Sequence, residues 1–172
     1  MIRNVIKYGI SFVLLVLFQG LILNNVELGG YVNPFLYVLF ILALPFDTPD
    51  WVVLSLGFLI GIFIDTFTST IGMHASATVF MGFMRVFVLR LFKPRDGYDF
   101  NTTPSLQNMG LMWYFNYASV LIVLHHLFLF YIESFKLSQF FATFGRAMLS
   151  SVFTLVLVFI IQLFSYKPAN RL

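Results

Sequence analysis

Six apolar runs, broken by short polar stretches, decide what this chain can become. They cover roughly residues 8–23, 34–45, 51–65, 73–92, 110–131 and 141–164. Apolar residues make up 60% of the chain, charged residues only 10%, and the mean hydropathy is +0.92. A soluble domain needs more charge than that to solvate its surface, and a disordered chain is far less apolar. The runs are continuous and do not alternate with polar residues, which argues against a transmembrane β-barrel. The expected fold class is all-α: one polytopic membrane helical bundle of about six transmembrane helices over residues 1–172.

Local signals place the breaks. Arg3 and Lys7 precede the first run, but no A-x-A cleavage pattern follows, so it reads as a retained helix. Residues 24–33 hold Glu27, Gly29 and Gly30 and read as a loop. Pro34 suits a first helical turn, and Pro45, Asp47, Pro49 and Asp50 stop the second run. That run is too short for a full bilayer at about 1.5 Å per residue. Four spans are the alternative, with the second and third runs paired as a re-entrant hairpin. Residues 66–72 read as a loop or as irregular backbone at membrane depth, which only a protein surround allows. Residues 93–108 form the clear polar loop.

Basic residues set the expected orientation. Arg3, Lys7, Arg90, Lys93, Arg95, Lys167 and Arg171 would lie inside, which makes both termini cytoplasmic. Glu27, the Asp65 region, and Glu133 with Lys136 would lie outside. The Asp47–Asp50 link dissents mildly, being inside without a basic residue. Tyr8, Tyr31, Trp51, Trp113, Tyr131 and Tyr166 fall near span ends, as interfacial anchors do. The net charge of +3 is ordinary for juxtamembrane segments and leaves no nucleic-acid footprint. The chain has no cysteine, which excludes disulfides and Cys-ligated metal.

A few polar groups stand out inside the runs. Gly57, Gly61 and Asp65 are spaced by four and share a helix face, so a neighbouring helix can come close there. Asp65 then either caps the following turn through backbone and hydroxyl groups, receives a partner's donor, or binds a cation. His74, Thr78 and Gly82 repeat the spacing, and Arg85 lies almost on the same face. An Asp65–His74 hydrogen bond is geometrically plausible. Arg85 either belongs to that face or snorkels to lipid phosphates. His125 and His126 lie mid-span but point apart, which makes a poor two-ligand metal site and favours interhelical hydrogen bonding. Ser119, His126 and Glu133 share a face. Arg146, Ser150, Ser151, Thr154 and Gln162 form the polar face of the last run, and Arg146 can pair with Glu133. No nucleophile elbow, phosphate-binding loop, dinucleotide fingerprint or metalloprotease motif is present. Asp65 is the one acid inside a run, where aspartate-type intramembrane proteolysis needs two. The residues lean towards binding, scaffolding or small-solute transport.

Residues 57–75, Gly57-Phe-Leu-Ile-Gly61-Ile-Phe-Ile-Asp65-Thr-Phe-Thr-Ser69-Thr-Ile-Gly72-Met-His74-Ala75, resemble the signature of the rod shape-determining protein MreD family. Gly57, Gly61, Asp65, Ser69 and Gly72 carry the resemblance. The Phe-rich composition and the Asn33-Pro34 start of the second run resemble members from Bacteroidetes-like bacteria. The resemblance implies a bacterial inner-membrane protein without enzymatic activity, part of the machinery that builds lateral peptidoglycan. The implied partners are MreC, RodA, the elongation transpeptidase and MreB, besides membrane lipids; no cofactor is implied. The family is also similar in fold to the substrate-binding subunits of energy-coupling-factor transporters, so a small-solute-binding membrane subunit is the alternative. Gly57, Gly61, Asp65, Ser69, Gly72, His74, Arg85, His126 and Arg146 are the candidate interface or structural residues.

Overall fold

Proline, glycine and aspartate cut this apolar chain into helices. The computed structural model describes residues 2–26, 31–100, 102–135 and 139–166, with the backbone alone for residues 2–5. Glu27, Gly29, Gly30, Lys136, Lys167, Arg171 and the Arg3 side chain, all named in the loop and charge readings, lie outside the described residues, as does Asn101 of the 93–108 loop.

Helix α1 (Ile2–Leu21) has no proline and ends where the Asn25 side chain donates to the Leu21 carbonyl at 2.9 Å. A 3-10 turn (Leu36–Val38) runs directly into the short helix α2 (Leu39–Leu42). Helix α3 (Asp50–Thr68) starts after Pro49, with Asp50 in its first turn, where the helix dipole favours an acid. It stops at Ser69, which takes the left-handed conformation at φ 56°. Helix α4 (Met73–Leu91) follows Gly72, itself at φ 74°. The expected polar loop contains one further turn, α5 (Leu106–Met109), capped by the Ser105 hydroxyl, which accepts from Asn108 N at 3.1 Å. Helices α6 (Leu111–Ser134) and α7 (Phe140–Ser165) are the last two described.

The fold is an all-helical polytopic bundle. Five helices are long and apolar enough to cross a membrane: Ile6–Asn25, Asp50–Thr68, Met73–Leu91, Leu111–Ser134 and Phe140–Ser165. One boundary and one element differ from expectation. The third helix does not stop at Asp65 but continues through Thr68, so the irregular stretch shrinks to the corner between Thr68 and Met73. The second run folds as a 3-10 turn and a four-residue helix, and it is not among the five helices long and apolar enough to cross a membrane.

Helix α3 packs most extensively on α4, α4 on α6, α6 on α7, and α1 on α3. The Leu36–Leu42 segment fills the middle of this arc, and Tyr37, Val38, Ile41 and Leu42 are fully buried. Its two flanks lie at opposite ends of the bundle. Asn33 N donates to Ser150 Oγ at 3.0 Å near the α3–α4 corner end. Phe46 N donates to the Thr102 carbonyl at 3.0 Å in the α4–α6 loop. Residues 33–46 therefore carry the chain across the bundle. Helical and turn residues advance about 1.5–2 Å each and extended ones about 3.3 Å each, so the contour of this stretch is at most about 30 Å.

Such a crossing is possible because protein surrounds it on every side. Irregular backbone leaves N–H and C=O groups without helical partners, and each one unsatisfied in hydrocarbon costs several kcal/mol. Here side chains from four helices supply the partners. Gln19 accepts from Leu36 N at 2.7 Å and donates to the Pro34 carbonyl at 3.1 Å. Ser150 and Thr154 accept from the Asn33 and Phe35 amides. Arg85 Nη2 donates to the Leu44 and Pro45 carbonyls at 2.6 and 3.0 Å, and Tyr117 donates to the Leu42 carbonyl at 3.2 Å. The lipid face is apolar by contrast: Ile10, Leu14 and Leu21 of α1, and Leu149, Val152 and Val156 of α7, are exposed.

Candidate functional site

The Gly57–Ala75 stretch folds as one corner. A Cβ on Gly57 would lie 3.1 Å from the Thr78 carbonyl oxygen. A Cβ on Gly61 would fall onto the Ala75 backbone and Thr78 Oγ1, so α4 approaches α3 more closely there than any side chain allows. One turn further, Asp65 is buried at the end of the seam. Its Oδ1 accepts from Thr70 Oγ1 at 2.6 Å and from His74 N at 3.0 Å, and its Oδ2 accepts from Ala75 N at 3.0 Å. The carboxylate thus caps the first turn of α4 from the preceding helix, where free amides and the helix dipole both favour an anion. Of the readings of Asp65, the turn-capping one matches this geometry. The expected Asp65–His74 bond exists, but to the histidine's backbone amide and not its ring.

Ser69 and Gly72 contribute backbone geometry. Gly72 holds a positive φ that a larger residue adopts only with strain. Ser69 holds one too, and its side chain is exposed.

The His74 ring points into the bundle. Tyr37 Oη lies 2.8 Å from His74 Nδ1 and 2.9 Å from His125 Nε2. A phenol donates one proton, so it donates to one ring and accepts from the other. His125 Nδ1 is buried without a partner among the described residues. An orphaned N–H is the costlier orphan, so His125 carries its proton on Nε2 and donates to Tyr37. Tyr37 then donates to His74 Nδ1, and His74 carries its proton on Nε2. His126 is separate from this pair: Nδ1 donates to the Ile122 carbonyl at 2.9 Å, and Nε2 accepts from Thr154 Oγ1 at 3.0 Å. Thr154 in turn accepts from Phe35 N at 2.9 Å. The Phe35 ring packs at 5.1 to 6.3 Å from all three imidazoles. Among the described residues, no three His, Asp or Glu side chains converge as metal ligands.

A cavity of about 190 Å³ opens beside this cluster, lined by Asn24, Asn33, Phe35, Thr70, His74 and Glu133 among others. Arg146 stands nearby, its guanidinium 4.7 Å from the Phe130 ring centre and its Nη1 3.8 Å from Glu133 Oε1. With the Asn33 amide turned to suit its neighbours, its oxygen accepts from Arg146 Nη2 at 2.7 Å. The expected Arg146–Glu133 pair is therefore present, though half-exposed and so energetically modest.

Comparison with family models, curated proteins and solved structures returns no match.

Other expected groupings do not assemble. Arg85 lies at the far end of the bundle from His74, buried among carbonyls, and does not snorkel to lipid. Ser119, His126 and Glu133 share a face, but no hydrogen bond joins them, and Ser119 Oγ has no partner among the described residues. Sequence reasoning missed Gln19, Tyr37 and Tyr117. Their signal is a lone polar group in an apolar run, close to a run too short to be a span.

The capping geometry gives a prediction. In Asp65→Asn the amide nitrogen must face one of the donors that the carboxylate now accepts from. The variant should lose about 2–4 kcal/mol, the range for a charge-assisted buried bond replaced by an unmatched donor. Detergent-solubilised thermal unfolding reads this directly. A melting temperature unchanged from the parent would show that the carboxylate does not hold the α3–α4 corner.

Proposed function

We propose that this multi-pass membrane protein is a non-enzymatic component of the bacterial cell-elongation machinery in the inner membrane. On this reading it supports lateral peptidoglycan synthesis through protein–protein contacts, with both termini cytoplasmic. One observation supports it most: the five residues that carry the MreD resemblance all act in one place. Gly57 and Gly61 bring the helices together, Asp65 caps α4, and Ser69 and Gly72 turn the chain. A motif of that kind builds a rigid surface rather than a reactive centre. MreC, RodA and the elongation transpeptidase are the partners such a surface would meet, with MreB on the cytoplasmic side.

The cavity favours a second reading, a solute-binding subunit of an energy-coupling-factor type transporter. Size weighs against it. At about 190 Å³ the cavity is smaller than the roughly 300–1,000 Å³ of sites that enclose drug-sized ligands. It suits a few waters at about 30 Å³ each.

Mild crosslinking in native membranes, affinity purification and mass spectrometry separate the two readings. Co-recovery of MreC with RodA is the expected result. Recovery instead of an ATPase and a coupling subunit, with a small molecule retained, would transfer the protein to the transporter class.

A further inference from the structure

Two cavities meet on the outer side of the α3–α4 pair, at the end where α4 finishes. The first, of about 240 Å³, is lined by Asp50, Arg90, Lys93 and Tyr98 among others. The second, of about 300 Å³, is lined by Leu54, Gly82, Phe83, Val86 and Phe87, with Asp50 and Arg90 at its mouth. Asp50, Val86 and Arg90 belong to both, so the pair forms one continuous furrow, charged at one end and apolar along the rest.

The furrow follows from the sequence. Gly82, Val86 and Arg90 recur every four residues on α4, and Asp50 and Leu54 do so on α3. Gly82 has no side chain, so Val53 and Leu54 pack directly against its backbone, where a Cβ would lie 3.2 Å from Val53 Cγ1, and this close contact forms the floor between the helices. From Gly82 to Arg90 is eight residues, or about 12 Å along the axis. One leaflet's hydrocarbon is about 15 Å deep, so an acyl chain lying from Arg90 towards Gly82 matches a leaflet. At the charged end, Arg90 and Lys93 are exposed and make no salt bridge among the described residues. Asp50 sits in the first turn of α3, where the helix dipole already offsets its charge. Arg85 also lines this cavity, but it is buried and already engaged by Leu44 O, Pro45 O and Tyr117 Oη. The mouth therefore presents two exposed cations, and one carboxylate able to accept hydrogen bonds from hydroxyl groups.

We propose that this furrow binds one molecule of an anionic glycerophospholipid of the phosphatidylglycerol type. Arg90 and Lys93 hold the phosphate, Asp50 accepts from the glycerol hydroxyls, and one acyl chain lies over Gly82 between Leu54, Phe83 and Phe87. The bound lipid seals the α3–α4 seam on its membrane side and fixes the depth of α4 in the leaflet.

The test uses the full chain in vesicles of phosphatidylethanolamine with a minor fraction of phosphatidylglycerol, then gentle extraction and native mass spectrometry. The parent should retain one phosphatidylglycerol in preference to phosphatidylethanolamine. The double variant Arg90→Gln/Lys93→Gln should bind it about thirtyfold more weakly, at roughly fivefold per basic residue near a membrane surface. Neither side chain packs in the core, so its melting temperature in lipid-free detergent should match the parent's. Val86→Trp fills the furrow without touching the cations and should also lose the lipid. Three outcomes would overturn the proposal: equal retention of phosphatidylethanolamine, undiminished retention by the double variant, or displacement of the lipid by inorganic phosphate, which would make this an anion site without a chain-binding furrow.

Discussion

Gly61→Leu should remove most of the folded protein from the membrane fraction, and even Gly61→Ala should lower its melting temperature sharply. The reason is spatial. A single methyl at this position meets Thr78 Oγ1 and the Ala75 backbone, and the backbone cannot rotate away. Helix α4 would have to withdraw, and with it the amides that Asp65 caps only one turn later. Overpacking a tight interior typically costs about 1–3 kcal/mol, and here the loss of the cap adds to that. Gly57→Ala is the internal comparison. Its methyl would meet the Thr78 carbonyl oxygen at 3.1 Å, a contact that a few tenths of an ångström relieve. That variant should lose about 1 kcal/mol or less. Thermal unfolding in a mild detergent, with in-membrane protein level alongside, measures the series. If Gly61→Ala melts with the parent, the α3–α4 seam is not the fixed element described above.

The same corner shows how much of the molecule can be read from its residues. Glycines spaced by four before a lone aspartate indicate close helix packing and a capped turn, because both follow from local geometry. The long helices are legible for a similar reason: uninterrupted apolar runs between prolines and acids leave few alternatives in a bilayer. The Leu36–Leu42 segment is not legible in this way. Apolar residues suit lipid and protein surroundings equally, so the run does not say that its surroundings are protein. Nor does sequence spacing pair Tyr37 with His74 and His125, which lie far apart in the chain and meet only because the segment threads between α4 and α6. Arg85 illustrates the same limit. On an isolated helix an arginine near one end reads as a snorkelling cation. Only the presence of an unsatisfied stretch of backbone beside it reveals a different task.

That task makes Arg85 the other position where a single change should have a large effect. Arg85 is 3% exposed, and its guanidinium binds three oxygens: Leu44 O at 2.6 Å, Pro45 O at 3.0 Å and Tyr117 Oη at 3.0 Å. Both carbonyls follow the end of α2; the Pro45 carbonyl also accepts from Thr48 N at 3.2 Å, whereas the Leu44 carbonyl has no other partner among the described residues. Arg85→Met keeps most of the volume but leaves the Leu44 carbonyl unpaired in a low-dielectric interior, at about 1–3 kcal/mol, and strips the Pro45 carbonyl and Tyr117 Oη of one donor each. Arg85→Lys retains a charge and three donors but not the fixed planar fork, so it should fall between the parent and Arg85→Met. Tyr117→Phe alone removes the bond to Leu42 O and one acceptor for Arg85, and should cost less. Combined with Arg85→Met it should cost less than the sum, because the two side chains serve one network. A snorkelling arginine would behave otherwise: its loss would matter mainly in anionic lipid and hardly in neutral detergent. The structure requires the full effect in neutral detergent, independent of salt. A melting temperature in Arg85→Met within error of the parent under those conditions would mean that the buried crossing does not depend on this side chain.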